Sequence, residues 1–243
     1  MNSIRSLMKV IFLSFVVGCC TGTMSSSKEA PETVQKSADE ITFQKQIEVE
    51  RLRQSTVAII EHMGDNSIPV CAGVWVSENS FITAAHCVEK VIPIYEYAAP
   101  EDYAKKEYKT AVAVAADKEK DLALMIADPQ NISPHPVVIV SNGPLSAGDE
   151  VDIIGHTMGL PWTYSKGYIS AFRGDLSGPA EEPQKLIQIS APVWMGNSGG
   201  GAFDRAGNLV GICSWVVSSG PQLSFFTDRE VVREFVVTQL AKL

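Results

Sequence analysis

Residues 196–201 read Gly-Asn-Ser-Gly-Gly-Gly, the densest cluster of small residues in the chain. Glycines beside a serine allow the backbone to approach a bound molecule and to direct peptide N–H groups at one point. The cluster therefore makes Ser198 a candidate nucleophile. Two other interpretations stay open on this motif alone, because a glycine-rich hairpin has the same composition and G-x-S-x-G also marks the nucleophile elbow of α/β-hydrolases.

The order of polar residues along the chain narrows these interpretations. A serine nucleophile needs a base, usually a histidine, which a carboxylate orients. The histidines all precede the serine and lie at positions 62, 86, 135 and 156. The α/β-hydrolase order, with histidine after serine, is therefore excluded, whereas His86, Asp121 and Ser198 fit the order His, Asp, Ser. Asp117 and Asp128 compete with Asp121, although Asp117 lies in a charged run typical of a solvated turn. The histidines at 62, 135 and 156 have no motif around them and are predicted to lie on the surface or in loops, without a role.

Past residue 54 the sequence consists of short apolar segments that Gly, Pro, Asn and Asp separate at hairpin-like spacing. This pattern predicts an all-β domain, built either as barrels or as a sandwich. The predicted strands span residues 56–61, 73–76, 80–83, 111–114, 122–126, 151–154, 167–171, 186–189, 209–215 and 224–227. A connection between two halves is expected over residues 128–148, which are rich in proline.

Two helices are predicted at the ends of this region. Apolar residues at roughly helical spacing predict a short helix over residues 41–53. The last segment, residues 228–243, places apolar side chains on one helical face, and Thr227 with Glu230 forms a capping-box signature in front of it. We therefore expect the chain to close with an amphipathic helix that docks on the β-structure.

The first forty residues differ from the remainder of the chain. Arg5 and Lys9 precede an apolar run that is too short to span a bilayer, a pattern typical of a secretory signal. The run ends at a glycine followed by Cys19 and resembles a bacterial lipobox, which implies a signal peptide over residues 1–18 and a lipid on Cys19. Ordinary signal cleavage is the alternative. Residues 19–40 are rich in Ser, Thr, Lys and Glu and are predicted to form a flexible tether.

The cysteines suit an exported chain, because an oxidising compartment permits disulfides. Cys71 and Cys87 lie in apolar segments on either side of a turn signal at residues 77–80, so a hairpin could bring their sulfurs together. Closing such a loop contributes about 3 kcal/mol in the chain-entropy model. Cys213 lies in an apolar run and is predicted to be a buried small hydrophobe. Neither CxxC nor HExxH occurs, so the sequence gives no support for a zinc site.

The composition of the 243 residues, with 45% hydrophobic and 20% charged, is that of a globular protein rather than a disordered or collagen-like one. The net charge is −8. Because phosphate binding requires a basic surface, this charge argues against nucleic acid as a partner.

Three separated motifs occur in a fixed order: Thr-Ala-Ala-His-Cys at 83–87, Asp-Leu-Ala-Leu at 121–124 and Gly-Asn-Ser-Gly-Gly at 196–200. Together they resemble the chymotrypsin-like serine proteases, in which these segments carry the base, the orienting acid and the nucleophile. The resemblance implies two six-stranded antiparallel β-barrels with a C-terminal α-helix, and a disulfide between Cys71 and Cys87. Residues 211–215 resemble the strand of that family that pairs with the substrate backbone.

Residues 151–161 and 167–171 resemble the corresponding segments of the bacterial Deg-type, or HtrA-like, proteases. The resemblance runs from about residue 55 to residue 235 and implies a protease domain over residues 41–243. Its expected parts are an N-terminal barrel at about 55–130, a C-terminal barrel at about 148–227 and a helix at 228–243. Because the chain ends about 45 residues after Ser198, we expect no PDZ domain.

The resemblance also implies a mechanism, the hydrolysis of peptide bonds through an acyl-enzyme. Ser198 would be the nucleophile, His86 the general base and Asp121 the orienting acid. The N–H groups of Gly196 and Ser198 would bind the oxyanion, and neither a metal nor an organic cofactor is expected. Asn197 stands where the digestive members have an aspartate that pairs with a new N-terminal amine after zymogen cleavage. A neutral amide offers no such ion pair, so we expect no zymogen step of that kind.

The residues expected to contact substrate follow from the same resemblance. Pro192 occupies the floor of the primary pocket, so a carboxylate that would select Lys or Arg is missing there. The other substrate-binding candidates are Val193, Trp194, Met195, Ser214, Trp215 and Val216. Val216 stands where an open pocket usually has glycine, and its β-branched side chain should narrow the entrance. We therefore expect a small or medium aliphatic residue before the scissile bond.

The expected partners are protein or peptide substrates, with membrane contact only through a lipid anchor. The expected location is the bacterial periplasm or outer membrane as a lipoprotein, or outside the cell if Cys19 carries no lipid. A catalytically silent binding or chaperone module on the same fold is the alternative function, against which the three filled catalytic positions argue. A structural scaffold is a more remote alternative. The sequence leaves the oligomeric state open.

Overall fold

Strands dominate the fold of this chain. The structure is a computed structural model that describes residues 38–89, 93–176, 184–217 and 223–243. Strands of these residues form two closed antiparallel barrels of six strands each, and a helix follows the second barrel. This architecture confirms the chymotrypsin-like fold that the sequence predicts. The predicted signal peptide, the lipid on Cys19 and most of the predicted tether lie outside the described residues.

The first barrel follows an N-terminal helix, α1 (Ala38–Gln54), which leads directly into the first strand. The strands are β1 (Thr56–Met63), β2 (Asn66–Trp75), β3 (Ser80–Thr83), β4 (Ile94–Ala98), β5 (Lys109–Asp117) and β6 (Leu122–Ala127), closing in the order β1-β2-β3-β6-β5-β4. Helix α2 (Pro100–Lys105) connects β4 to β5. It begins with proline, whose fixed φ suits the first helical position.

The second barrel repeats this arrangement and ends in a helix. Its strands are β7 (Glu150–Gly155), β8 (Thr163–Leu176), β9 (Gln184–Ile189), β10 (Gly201–Phe203), β11 (Leu209–Val217) and β12 (Leu223–Asp228), closing in the order β10-β11-β12-β9-β8-β7. Helix α3 (Arg229–Leu240) begins where β12 ends. In the connection between the barrels, Val140 forms an isolated parallel bridge with Leu209 of β11.

Each barrel has an apolar interior, because every second side chain of a strand faces inward. Trp75 and Phe81, which are 1% and 0% exposed, pack in the first barrel, and Phe226 packs in the second. A third cluster combines side chains of both barrels with Leu52 of α1 and Phe235 of α3. Burial of this shared apolar surface favours one docked arrangement of the barrels, so residues at their boundary are held in fixed relative positions.

The sequence pattern misses two strands. β4 has five residues and follows Pro93, and β10 has three residues within the glycine cluster. The proline before β4 and the glycines around β10 are turn signals, which hide these short strands in the sequence pattern. The other strands lie where the pattern predicts them, with ends that extend further in most cases.

The terminal helices differ from the prediction in detail. Helix α1 begins at Ala38 rather than at residue 41. Thr227 is not the N-cap of α3, because Asp228 takes that position and its Oδ1 accepts the Glu230 N–H over 2.7 Å. The Thr227 hydroxyl instead donates to Lys120 O over 3.1 Å. Among the helices of the described residues, none combines the length and the apolar character needed to cross a lipid bilayer.

Candidate active site

His86 and Asp121 are in direct contact in the first barrel. His86 lies on a 3-10 turn (Ala85–Val88) after β3, and Asp121 immediately precedes β6. His86 Nδ1 lies 3.0 Å from each carboxylate oxygen of Asp121, and the His86 backbone N–H donates to Asp121 Oδ1 over 3.1 Å. Because β3 and β6 are paired neighbours, the barrel itself brings the two residues together. Nε2 is left as the ring nitrogen that faces away from the carboxylate.

Donors from both barrels hold the Asp121 carboxylate. The residue is 3% exposed, and Ser214 of β11 donates from Oγ to Asp121 Oδ2 over 2.5 Å. Asp121 also has a left-handed φ of 50°, a conformation that costs a non-glycine residue about 1 kcal/mol. These donors stabilise the ionised carboxylate. Sequence reasoning misses the bond from Ser214, since the two residues are 93 positions apart and no motif joins them.

Ser198 lies on a loop of the second barrel that is bonded to the first barrel. Its carbonyl accepts the Ala72 N–H over 2.8 Å and lies 3.8 Å from Cys87 Sγ. A Cβ on Gly199, whose φ is 81°, would lie 2.2 Å from Ala72 O, so only glycine fits there. Because Cys87 adjoins His86, the three candidate catalytic residues converge. No hydrogen bond within the described ranges joins Ser198 Oγ to His86. In enzymes without bound substrate, the hydrogen bond between nucleophile and base is often long, and it shortens when the substrate binds.

Residues 194–197 form a turn before the nucleophile, here called the oxyanion turn. The Asn197 N–H donates to Trp194 O over 3.1 Å, and Gly196 has a φ of 93°. A positive φ at the third residue of a hydrogen-bonded turn is the signature of type II, which requires glycine there. Met195 O accepts the Met158 N–H over 2.8 Å. Because a trans peptide directs its C=O and N–H to opposite sides, the Gly196 N–H points away from that bond and is available to an oxyanion.

A disulfide between Cys71 and Cys87 ties the turn that carries His86 to β2, and it confirms the predicted pairing. Cys213 is free and buried, again as predicted. Within the described part of the chain, the ligand atoms of Cys71, His86 and Cys87 lie within 4.8 Å of one another, a spacing that could suit a metal ion. A disulfide sulfur is not a thiolate, however, so these residues are not a zinc ligand set in this state.

The sequence of this site matches a known family over residues 71–212, more than half of the chain, and that family is described as the trypsin-like peptidase domain. The chain belongs to the trypsin-like peptidase family. The matched segment begins at the disulfide cysteine of β2 and ends in β11, so it includes the three candidate catalytic residues.

Curated relatives of this trypsin-like peptidase include proteins described as Do-like, DegP-like and HtrA-like proteases. Protease Do-like 1, chloroplastic, of Arabidopsis thaliana is 34% identical over 110 residues, which cover 44% of this chain and 25% of that protein. A probable periplasmic serine endoprotease DegP-like of Brucella suis is 33% identical over 135 residues, which cover 54% of this chain and 26% of that protein. The chain thus spans about a quarter of the length of the curated relatives it matches. Over the matched segments the chain is similar to serine proteases of the Deg type.

Solved structures share the fold of this peptidase. The Rv3671c protease from M. tuberculosis, active form, is 18% identical with a TM-score of 0.65, covering 88% of this chain and 92% of that chain. The HtrA-type protease AlgW with tripeptide is 25% identical with a TM-score of 0.65, covering 77% of this chain and 60% of that chain. These similarities agree with the two-barrel architecture described above.

The residues that sequence reasoning assigns to substrate contact differ in exposure. Pro192 and Met195 are exposed, and Met195 reaches 68%. Val193 is 2% exposed and packs among the core residues of the second barrel. Trp215 stacks on Phe225 with ring centroids 4.1 Å apart, which builds a flat apolar wall. The half-buried members of the set are Trp194, Trp215 and Val216.

A cleft of about 410 Å³ borders His86 on the side of the disulfide, and Tyr95, Glu61 and Glu89 contribute to its walls. Burial of His86 disfavours its charged form, but the hydrogen bond and the negative charge of Asp121, with a further contribution from Glu89, outweigh burial and raise the pKa of His86. A histidine with a raised pKa is a stronger base once it is neutral.

Proposed function

We propose that this chain is a serine endopeptidase of the cell envelope that hydrolyses peptide bonds through an acyl-enzyme. The observation that carries the proposal is the contact of His86 Nδ1 with both oxygens of the buried Asp121 carboxylate, beside the loop of Ser198. Membership of the trypsin-like peptidase family and the similarity to Deg-type proteases support the same class of reaction.

In the proposed mechanism Ser198 Oγ attacks the peptide carbonyl while His86 Nε2 accepts its proton. Asp121 holds the imidazole through Nδ1 and stabilises the imidazolium that forms. His86 then protonates the leaving amine, and water releases the acyl group from Ser198 by the same steps in reverse order. The N–H groups of Gly196 and Ser198 stabilise the negative oxygen of each tetrahedral intermediate, and loss of one such donor costs about 3 kcal/mol.

Labelling with a fluorophosphonate tests this proposal directly, because the probe reacts with an activated serine. We expect wild-type protein to be labelled and peptide mapping to place the adduct on Ser198. The exposed Ser146 supplies a matched control, since Ser146→Ala should label like wild type. Absence of label on folded wild-type protein would instead favour the catalytically silent binding module.

The charge of Glu89 gives a prediction for the pH dependence of the reaction. Glu89→Gln removes a negative charge that favours the imidazolium of His86. The base then loses its proton at lower pH, so the acidic limb of kcat/KM should move to lower pH. The measurement is a pH profile of kcat/KM, which reports the free enzyme. Glu61→Gln in the same cleft is the control, and a limb that stays in place or moves to higher pH contradicts the prediction.

The proposed specificity follows from the pocket residues. With Pro192 in place of a carboxylate and Val216 at the entrance, we expect cleavage after small or medium aliphatic residues. A peptide library with all side chains before the scissile bond measures this preference, and Val216→Gly should broaden it toward larger side chains. A preference of wild-type protein for Arg, Lys or Glu would overturn the expectation.

Activity is proposed not to need zymogen cleavage, because Asn197 already has internal partners. It is 2% exposed, and its Nδ2 donates to Thr157 Oγ1 over 2.7 Å and to Trp194 O over 3.0 Å. Helix α1 is part of the folded unit as well, since Lys45 pairs with the buried Asp152 of β7. The full chain and a chain that begins at residue 38 should therefore label at equal rates. Labelling that appears only after trimming would contradict this expectation.

The proposed location is outside the cytoplasm, with Cys19 as a lipid anchor. The periplasmic description of the Brucella suis relative supports export. Mass spectrometry of the mature N-terminus tests the anchor. A diacylglyceryl modification on Cys19 is expected, and an unmodified amino terminus at another position refutes it.

A further inference from the structure

His156 is a buried histidine that the proposed mechanism does not use. It directly follows β7 in a loop, one of the two placements that the sequence predicts, and it is 0% exposed. Its Nε2 lies 3.1 Å from Val57 O of β1, and its Nδ1 lies 3.0 Å from the backbone N of Trp162. The imidazole therefore bridges a strand of the first barrel and a loop of the second.

The two partners of His156 define its protonation state. A carbonyl can only accept, so the bond to Val57 O places the proton on Nε2. The backbone N–H of Trp162 can only donate, so Nδ1 is unprotonated. Burial lowers the pKa of His156 to about 4, although the hydrogen bond to Val57 opposes this shift. At neutral pH the ring is therefore uncharged, and each of its nitrogens forms one hydrogen bond, to Val57 O and to the Trp162 N–H.

The segment from His156 to Trp162, here called the spacer loop (residues 156–162), has a backbone that needs support. Met158 and Trp162 have φ values of 55° and 48°, left-handed conformations that are unfavourable for residues with a side chain. The Trp162 indole donates from Nε1 to Thr56 O of β1 over 2.8 Å, and its ring meets the His156 ring edge-on at 4.8 Å. The first barrel thus supplies the contacts that keep this loop in its unfavourable conformation.

The spacer loop in turn holds the oxyanion turn. The Met158 N–H donates to Met195 O over 2.8 Å, and Asn197 Nδ2 donates to Thr157 Oγ1 over 2.7 Å. Gly196 packs so closely against His156 that a Cβ on Gly196 would lie 2.2 Å from His156 O. Because Met195 O is held on the side of the spacer loop, the Gly196 N–H is held on the opposite side of the same peptide.

We propose that His156 is a positioning residue for the oxyanion hole, which ties the spacer loop to β1 and thereby fixes the direction of the Gly196 N–H. This inference rests on the proposed function. His156 touches no reacting atom and acts through Met158 and the oxyanion turn. Without an acceptor at the position of Nδ1, the Trp162 N–H is unpaired, the loop relaxes, and the Met195–Gly196 peptide can turn over.

Steady-state kinetics of two variants at one position test the role of His156. His156→Leu removes both hydrogen bonds, whereas His156→Asn keeps an acceptor near the position of Nδ1. We expect His156→Leu to lower kcat about 10²-fold with KM changed less than twofold, because a misplaced donor fails only in the transition state. His156→Asn should restore kcat to within about fivefold of wild type. The end point of fluorophosphonate labelling gives the concentration of active sites. Dividing the maximal rate by that concentration yields a kcat that unfolded protein does not affect.

His135→Leu is the matched control for removal of a histidine. His135 stacks on Trp75 of the first barrel at 3.9 Å, and within the described residues its ring nitrogens lie next to Ser133 O and Ser77 O, so this variant should lower the Tm without changing kcat per site. If His156→Leu does not fold, His156→Gln is tested in its place. The longer glutamine amide reaches toward Val57 O but leaves the Trp162 N–H without an acceptor, so kcat should again fall. Unchanged kcat per site in the folded variant overturns the proposal. Wild-type protein that fails to label overturns the proposed function instead, so the two failures are distinguishable.

Discussion

Ser198→Ala is expected to lower kcat/KM for a peptide substrate by about 10⁴- to 10⁶-fold, since removal of a nucleophile eliminates the covalent route. The remaining rate comes from substrate binding and the oxyanion hole alone. The fold should be unaffected, because the bonds that hold the loop use the Ser198 carbonyl and the backbone of Gly199 and Gly200. Initial rates with an internally quenched peptide measure the loss, and thermal unfolding confirms that the variant is folded.

Ser146→Ala is the control for this experiment as well, because that serine is exposed in the connection between the barrels. It should retain full activity. A Ser198→Ala protein that keeps activity within tenfold of wild type would show that Ser198 is not the nucleophile. The binding-module interpretation would then gain support only if wild-type protein also fails to turn over peptides.

Asp121→Asn is expected to lower kcat by about 10⁴-fold at neutral pH. An asparagine amide that donates toward His86 Nδ1 leaves the proton on Nε2, the nitrogen that must accept the Ser198 proton. The Ser214 hydroxyl also loses its charged acceptor. A pH profile provides a second readout, because loss of the Asp121 charge removes a cause of the raised pKa of His86. The remaining activity should therefore have its acidic limb at lower pH.

Asp117→Asn separates this role from a general effect of losing a carboxylate near β6. Asp117 competes with Asp121 in the sequence, but in the structure it ends β5 and pairs with Lys120 at 3.1 Å. Its replacement should change kcat less than about twofold, in keeping with a partly exposed ion pair that is remote from His86 Nδ1. A larger loss of kcat for Asp117→Asn than for Asp121→Asn would show that the wrong acid was assigned.

The parts of the site that lie within short motifs could be predicted from the sequence. His86, Asp121 and the loop of Ser198 each stand in a segment with a distinct local composition, and their order excludes the α/β-hydrolase mechanism. The pairing of Cys71 with Cys87 was also accessible, because both flank one turn. In each of these segments, the residues next to the functional side chain in the sequence are enough to identify it.

The contacts between distant segments could not be predicted in this way. The bond from Ser214 to Asp121 and the burial of His156 against Val57 depend on how the two barrels dock. The residues of these pairs are 93 and 99 positions apart in the sequence. The predicted capping residue of α3 was wrong for a related reason. The Thr227 hydroxyl donates to Lys120 O of the first barrel, and Asp228 caps the helix instead. Side chains with a distant partner are those for which local patterns are least informative.

The division of the catalytic groups between the barrels has a consequence for the chain during its own biosynthesis. The proposed base and acid belong to the first barrel, whereas the proposed nucleophile and the oxyanion turn belong to the second, and the Ala72 N–H on Ser198 O joins them. Ribosomes deliver the first barrel earlier, so a partly synthesised chain holds the proposed base without the proposed nucleophile. The proposed catalytic groups meet only when the second barrel has emerged and docked. Before the second barrel has docked, the chain therefore holds no complete set of these groups.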